Sequence, residues 1–254
     1  MTQKQPLLLN ADLGESFGAW KMGMDKDIMP FIDCANIATG FHASDPVTMR
    51  ETVRLAHTHQ VKIGAHPAYP DKEGFGRRSL AMSSHEISAA VLYQIGALHA
   101  ICVAEGAQLA YVKPHGALYN DMMQNDTIFE AVLEAVAKFN TDLPLVVLAL
   151  GDLSRHQEKA TQYGITLWPE AFADRAYDAK GFLVSRSEPD SVFHERACIL
   201  AQAEMIAEHG AVRSLCGERI EIPAVTLCVH GDNPEAVKTT EAIRTLLHQH
   251  HLDG

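Results

Sequence analysis

The sequence predicts one α/β domain, a parallel β/α barrel that spans residues 1–254. Three observations lead to this prediction. Seven short apolar segments of strand type recur along the chain, helical segments separate them, and such barrels reach this length as a single domain. Strand followed by helix, repeated, implies parallel pairing with right-handed crossovers. The number of units favours a barrel and leaves a doubly wound open sheet as the alternative.

The predicted strands are mostly continuous apolar runs rather than alternating ones. Continuous runs are typical of strands buried on both faces, as in a parallel sheet covered by helices. The seven predicted strands are residues 7–11, 34–38, 61–65, 109–113, 143–150, 165–171 and 224–229.

Capping signals mark the starts of several helices between these strands. Asp45 before Pro46 is typical of an N-cap and a first helical residue, and Asn233 before Pro234 repeats the pattern. Ser83 to Glu86 has the spacing of a capping box. The predicted helices are residues 46–59, 84–106, 126–139, 153–163, 189–209 and 234–249. Two long connections, 66–83 and 172–188, are predicted to be binding loops or lids.

Composition argues against several classes of protein. The net charge is -11, and no Lys/Arg cluster is longer than Arg77-Arg78, so we expect no nucleic-acid partner. No run of 18 apolar residues predicts a membrane span. The N-terminal apolar run is too short for a secretion signal, and the five scattered cysteines include no CxxC pair. These features predict a cytoplasmic protein with free thiols.

Polar and ionisable residues follow almost every predicted strand. In a parallel barrel the carboxyl ends of all strands meet on one face, where catalytic groups gather. We therefore predict that side chains distant in sequence converge there. In strand order these residues are Asn10, Asp12 and Glu15; Asn36, Thr39 and His42; His66 and Asp71; Lys113, His115, Tyr119 and Asn120; Glu170, Asp174 and Arg175; and His230 and Asp232.

Structural roles compete with functional ones at several of these positions. A single histidine after a strand is more often a turn or core residue than a catalytic one. Glu170 and Asp174 could pair with Arg175 as a local ion network, and Arg77 could belong to a solvated loop. The functional interpretation depends on coincidence of position at many strand ends.

The residue types permit two kinds of chemistry. Imidazole and carboxylate groups could hold a divalent metal ion, although no HExxH motif is present. Without a metal, a carboxylate and a histidine could relay protons to water, Lys113 could hold an oxyanion or phosphate, and Arg77 or Arg175 could bind a substrate carboxylate. Neither a Walker A motif nor a GxSxG elbow occurs, so the sequence shows no standard nucleotide site or serine nucleophile.

Seven motifs carry a resemblance to a known family. They are NADLGES, ANIATGFHASDP, IGAHPAYPD, GFGRR, VKPHGALYN, EAFADRAY and VHGDNP. In this order, from residue 7 to about residue 247, they resemble the LamB/YcsF-type lactam-utilisation family. The resemblance implies a seven-stranded β/α barrel similar to those of glycoside hydrolases and polysaccharide deacetylases. It also implies ATP-dependent opening of 5-oxo-L-proline to L-glutamate, ATP binding, and partner subunits B and C of a 5-oxoprolinase.

Within that expectation we assign roles to the strand-end residues. Asp12 or His115 would act as general base, Lys113 would neutralise phosphate or oxyanion charge, and an arginine would hold the substrate carboxylate. The candidate catalytic residues are Asp12, Glu15, His66, Lys113, His115 and His230. The candidate substrate-binding residues are Asn10, Asn36, His42, Arg77, Tyr119, Asn120 and Arg175.

Two other functions stay open. The first is a stand-alone metal-dependent amidase or polysaccharide deacetylase, in which Asp12, His42 and His66 would resemble the Asp/His/His triad of the deacetylases. The second is a non-catalytic subunit that binds 5-oxoproline and delivers it to its partners.

Overall fold

A closed seven-stranded barrel forms the centre of the molecule in a computed structural model that describes residues 7–231 and 233–252. The first six strands are β1 (Leu8–Leu13), β2 (Cys34–Ala38), β3 (Lys62–His66), β4 (Leu109–Val112), β5 (Leu145–Leu148) and β6 (Leu167–Phe172). After a separate hairpin of β7 (Ala211–Arg213) and β8 (Arg219–Glu221), β9 (Thr226–Val229) closes the barrel.

The strand pairing confirms the barrel and excludes the open sheet. β9 lies parallel to β6 on one side and to β1 on the other. The register sets Asp12 beside Asn36 and Ala38 beside His66, so the polar residues at neighbouring strand ends lie at similar heights in the barrel. All seven predicted strands are found at their predicted positions to within a few residues.

Eight α-helices surround the barrel in the described chain. They are α1 (Asp25–Ile28), α2 (Pro46–Thr58), α3 (Ser84–Ala104), α4 (Gly116–Gln124), α5 (Asp126–Phe139), α6 (Ser154–Gln162), α7 (Arg196–His209) and α8 (Pro234–Leu252). A short 3₁₀ turn, Met29–Phe31, continues α1.

The predicted helix starts are confirmed where a capping residue specified them. The Asp45 carboxylate accepts hydrogen bonds from the backbone N–H groups of Val47 and Thr48, at 2.9 and 3.0 Å. Ser83 and Glu86 form both bonds of a capping box. The Asn233 side chain accepts from the Ala236 N–H at 2.9 Å, which starts α8. These bonds satisfy amide groups that the first helical turn leaves unpaired.

The helix predicted over 189–209 begins instead at Arg196. The preceding segment pairs with the loop after β6: Arg175 forms an isolated bridge with Val192, and the Phe193 N–H donates to the Asp174 carbonyl at 2.8 Å. Asp190 adopts a positive φ of 57°, which a right-handed helix does not allow. Tertiary pairing therefore replaces the first two turns of the predicted helix.

Helix α3 is long and apolar enough to cross a membrane, by length and composition alone. In this fold it lies in the outer layer, packed against α2, α5, β3 and β4. Ile87, Val91, Ile95 and Leu98 are buried on its inner face. A buried helix of a barrel's outer layer meets the same criterion, so this property alone is weak evidence for a membrane span.

Candidate active site

A cavity of about 930 Å³ opens at the carboxyl ends of the barrel strands. Its lining brings together most of the candidate residues, namely Asp12, Glu15, His66, Arg77, Lys113, His115, Tyr119, Asn120, Arg175 and His230. Asn10, Asn36 and His42 are buried outside the lining. Asp232 lies outside the described residues. The predicted convergence of the strand-end groups is therefore observed.

Asp12 lies at the centre of this arrangement. Its Oδ1 accepts from the Asn36 amide at 2.8 Å and lies 3.1 Å from Lys113 Nζ, while its Oδ2 lies 3.3 Å from His66 Nε2. Burial by itself would raise the pKa of the Asp12 carboxyl, but the charges of His66 and Lys113 outweigh burial and hold this pKa well below its usual range. Asp12 is thus an ionised carboxylate at the base of the cavity.

Lys113 is buried, and its ammonium group is surrounded by acceptors. Nζ lies 3.0 Å from Asn10 Oδ1, 2.8 Å from Glu170 Oε1 and 3.2 Å from Cys228 Sγ, in addition to Asp12. Burial would lower the pKa of Lys113, but the neighbouring Asp12, Cys228 and Glu170 raise it well above its usual value. An ammonium group has three protons, so these neighbours already occupy its hydrogen-bonding capacity.

Glu170 and Asp174 do not form the local network that the sequence predicts with Arg175. Glu170 is fully buried and pairs with Lys113. Asp174 Oδ2 lies 2.6 Å from His230 Nδ1. Arg175 donates instead to the backbone carbonyls of Val184 and Ser191, at 2.6 and 3.2 Å, and so holds the long loop after β6.

The Asp174–His230 pair is an ion pair at the cavity wall. Burial would lower the pKa of His230, but the Asp174 charge raises it above its usual value. Burial would likewise raise the pKa of Asp174, and His230 lowers it. Each partner therefore favours the charged form of the other, and the hydrogen bond between them fixes the orientation of His230.

Three histidines form a compact cluster behind Asp12. His66 Nε2 and His115 Nδ1 lie 2.9 Å apart, and the rings of His42 and His115 stack with centroids 3.8 Å apart and 6° between planes. Glu15 Oε1 lies 3.4 Å from His42 Nε2 and 3.8 Å from His115 Nδ1. Burial and the neighbouring imidazoles hold the pKa of His42 and of His115 well below the usual value.

A glycine positions His115. The chain leaves β4 through Pro114 and His115 and enters α4 at Gly116, whose φ is +59°. A Cβ atom at Gly116 would lie 2.4 Å from the carbonyl oxygen of Gly76. The Gly76 carbonyl also accepts from the Ala117 N–H at 2.8 Å, so the loop after β3 is fixed against this turn. By sequence a Pro-His-Gly segment is typical of a turn, which is why α4 is not among the predicted helices.

Tyr119 lies on the first turns of α4 and lines the cavity. It is buried, and burial together with the charge of Glu170 raises the pKa of its hydroxyl well above the usual value. Asn120 lies next to it on the same helix and lines the cavity from a more exposed position.

Cationic side chains surround the opening of the cavity. Arg77 is exposed, with its guanidinium carbon 5.0 Å from the centre of the Phe75 ring. Lys21 and Arg186 also line the cavity, and sequence reasoning missed both because they lie in loops well beyond the strand ends. The prediction of a binding loop over residues 172–188 is the signal that points to Arg186. These cations can attract a carboxylate or a phosphate.

Cys228 is a further site residue that sequence reasoning missed. Its position in an apolar strand indicates only a buried thiol, yet its sulfur contacts Lys113 Nζ. Burial raises the pKa of the Cys228 thiol well above its usual value. Its place two residues before His230, at the end of a barrel strand, is the available signal.

Comparison with known proteins places this architecture in one family. The model of the LamB/YcsF family matches residues 7–253. The A subunit of 5-oxoprolinase from Chromohalobacter salexigens is 55% identical over 237 residues, covering 93% of this chain and 95% of the relative. The corresponding protein of Pseudomonas fluorescens strain Pf0-1 is 53% identical over 243 residues, covering 96% of this chain and 97% of the relative.

Solved structures agree with the fold. The lactam utilization protein from Thermus thermophilus is 42% identical and superposes with a TM-score of 0.88, covering 96% of this chain and 97% of that one. A putative cellobiose-phosphate cleavage protein from Enterococcus faecalis V583 is only 14% identical and has a TM-score of 0.54, covering 98% of this chain and 96% of that one. The second match is a likeness of fold alone.

Proposed function

Because the chain belongs to the LamB/YcsF family, we propose that it is the subunit of a 5-oxoprolinase in which the lactam ring of 5-oxoproline is opened to give glutamate. The observation that carries the proposal is the pair of relatives above 50% identity, matched over more than 90% of both chains, that are 5-oxoprolinase A subunits. The stand-alone amidase or deacetylase is not favoured by these relatives.

The name of the relatives denotes one subunit of a larger enzyme, which supports a complex. We propose that subunits B and C are the partners and that the assembled complex consumes ATP. The chemistry supports an ATP requirement, since a five-membered lactam is stabilised by amide resonance and its hydrolysis is close to balanced. Transfer of the terminal phosphoryl group of ATP to the amide oxygen would activate the ring carbon.

Ring opening then follows by addition of water. Water adds to the activated carbon, the carbon–nitrogen bond of the ring breaks, and the nitrogen takes up a proton to become the amine of glutamate. The side-chain carboxyl at this point still carries the phosphoryl group, which a second water molecule removes as phosphate. Two waters and one ATP are consumed, and glutamate, ADP and phosphate are the products.

We propose that Asp12 is the general base for the attacking water. Its carboxylate is ionised and lines the cavity, as proton abstraction requires. The ammonium group of Lys113 keeps Asp12 ionised and positioned. Because that group is already surrounded by acceptors, the cations of the rim, rather than Lys113, are better placed to meet a phosphate or the substrate carboxylate.

Arg77 and Arg186 are the proposed contacts for the anionic groups of the substrate. Both line the cavity opening, whereas the guanidinium of Arg175 is committed to the Val184 and Ser191 carbonyls. Lys21 lies on the same rim. Bidentate contact with a guanidinium would fix the carboxylate of 5-oxoproline, and with it the orientation of the ring.

The test is glutamate release from 5-oxoproline, measured with and without ATP and with and without subunits B and C. We expect release only when ATP and the partners are present. Hydrolysis of simple amides or acetylated sugars by the chain alone, without ATP, would instead support a stand-alone amidase or deacetylase. Tight 5-oxoproline binding with full complex activity in strand-end variants would support a delivery subunit.

A further inference from the structure

Two buried imidazoles in the cavity present facing nitrogen atoms. His66 Nδ1 lies 2.6 Å from the Lys113 carbonyl oxygen, and His115 Nε2 lies 2.9 Å from the Phe75 carbonyl oxygen. A carbonyl oxygen can only accept, so these two ring nitrogens carry the protons of the neutral rings. The remaining nitrogens, His66 Nε2 and His115 Nδ1, then direct lone pairs towards each other across 2.9 Å.

Such a pair needs a positive centre between or beside its two nitrogens. The centre is either one extra proton or a cation. A neutral imidazole that donates its outer N–H to a backbone carbonyl is the usual arrangement of a metal-binding histidine, since that bond fixes both the tautomer and the ring orientation. Both His66 and His115 have this arrangement.

The distance between the two nitrogens also suits a metal ion. Bonds of about 2.1 Å at an angle of about 90° place two ligand nitrogens about 3.0 Å apart, close to the observed separation. A carboxylate oxygen completes the group, because Glu15 Oε1 lies within 4.8 Å of both nitrogens and of a nitrogen of His42. Two imidazoles and one carboxylate form the ligand set of known catalytic zinc sites.

We infer that Glu15 Oε1, His66 Nε2 and His115 Nδ1 form a binding site for one divalent first-row transition-metal ion, such as Zn²⁺. His42 is adjacent, but its ring is stacked on His115, so the in-plane lone pairs of the two rings run parallel and do not converge on one ion. His42 therefore supports the site from outside. Its two ring nitrogens have no hydrogen-bond partner among the described residues, although Nε2 lies 3.4 Å from Glu15 Oε1.

The ligand set differs from the Asp12, His42 and His66 triad considered from the sequence. Asp12 Oδ1 is already engaged by Asn36 and Lys113, and the nearest oxygen of Asp12 lies beside the proposed ion, 3.3 Å from His66 Nε2. An ion at this place would lower the pKa of a bound water next to the Asp12 carboxylate. That contribution to lactam opening rests on the proposed function, whereas metal binding itself does not.

The test measures metal binding directly. The purified chain is dialysed against a chelator and titrated with Co²⁺, and bound metal is followed by elemental analysis and by the visible d–d absorption of ligated Co²⁺. We expect one Co²⁺ per chain, displaced by Zn²⁺. His115→Asn and Glu15→Gln should each raise the apparent Kd at least about 100-fold, since even an outer-shell partner typically costs 10–100-fold.

Two controls distinguish binding at this site from binding elsewhere on the chain. His99→Asn removes an exposed histidine of α3 and should leave Co²⁺ binding unchanged. His230→Asn probes the second group of possible ligands, Asp12, Cys228 and His230, and should also leave it unchanged. Circular dichroism confirms that each variant is folded.

Three results would overturn the inference. They are the lack of stoichiometric Co²⁺ binding by the folded chain, unchanged binding in His115→Asn, or loss of binding in His230→Asn alone. The first result would assign a shared proton, not a metal, to the His66–His115 pair. A chain that binds Co²⁺ as expected but releases no glutamate with its partners would reject the proposed function and leave the metal site intact.

Discussion

Lys113 Nζ lies 2.8 Å from Glu170 Oε1 in the interior of the barrel, and the two side chains are 3% and 0% exposed to solvent. Lys113 follows β4 and Glu170 lies on β6, so the pair joins two strands that have β5 between them. Asn10 on β1 donates to the same Glu170 oxygen at 2.9 Å. Three strands thus hold one buried charge pair, and its role in positioning Asp12 can be tested through stability.

Replacement of Lys113 by Met should lower the free energy of unfolding by about 3–5 kcal/mol. The substitution removes the ammonium and leaves Asp12 and Glu170 as buried carboxylates without their cation. Urea denaturation measures the change. Lys62→Met is the matched control, because Lys62 is an exposed lysine at the start of β3, and it should change stability by no more than about 0.5 kcal/mol. Equal effects of the two substitutions would argue against the buried pair.

Replacement of Gly116 by Ala should destabilise the protein by about 1–3 kcal/mol, because the new Cβ meets the Gly76 carbonyl at a residue with positive φ. Gly96→Ala is the control. Gly96 lies inside α3 with open space around its Cα, so this change should stabilise the protein by about 0.5–1 kcal/mol. Thermal unfolding of both variants measures the contrast, and a neutral Gly116→Ala variant would contradict the close approach of the two loops.

The ion pair between His230 and Asp174 should make stability depend on pH. Because the folded-state pKa of His230 is raised, its contribution is fully present below about pH 6.5, the pKa of an unperturbed histidine, and is lost as pH rises through the folded pKa. Because the folded-state pKa of Asp174 is lowered, the contribution of its carboxylate is present above about pH 4 and is lost as pH falls through the folded pKa.

Urea denaturation of wild type and His230→Asn across this range measures the contribution. We expect a difference in unfolding free energy of about 1.5–3 kcal/mol near pH 5.5, decreasing in alkaline solution. Asp174→Asn should show the same decrease. A difference that stays constant with pH, or that grows as pH rises, would be inconsistent with an imidazolium at position 230.

The seven strands and their common polar ends could be predicted because both depend on local sequence. Continuous apolar runs mark strands covered on both faces, and parallel topology then requires the following residues, such as Asp12 and His115, to meet at one end. The pairing of Lys113 with Glu170 could not be predicted, because it depends on barrel closure and on the register between strands.

Other differences between prediction and structure have the same physical origin. Helix α7 starts later than predicted because residues 189–195 pair with a loop that is distant in sequence from their own helix. Lys21 and Arg186 were missed because long loops, and not strand ends, bring them to the cavity. The hairpin of β7 and β8 lies outside the barrel, and its strands of three residues each are too short for a periodic pattern.

The catalytic role of Asp12 is tested most directly by the Asp12→Asn variant in the complex reconstituted with subunits B and C. Glutamate release from 5-oxoproline and ATP is measured beside wild type and His99→Asn, with circular dichroism as the check of folding. We predict that Asp12→Asn loses at least about 100-fold in glutamate release, the scale of general-base catalysis, while His99→Asn keeps wild-type turnover. Wild-type turnover by a folded Asp12→Asn variant would contradict a catalytic Asp12 at the barrel mouth.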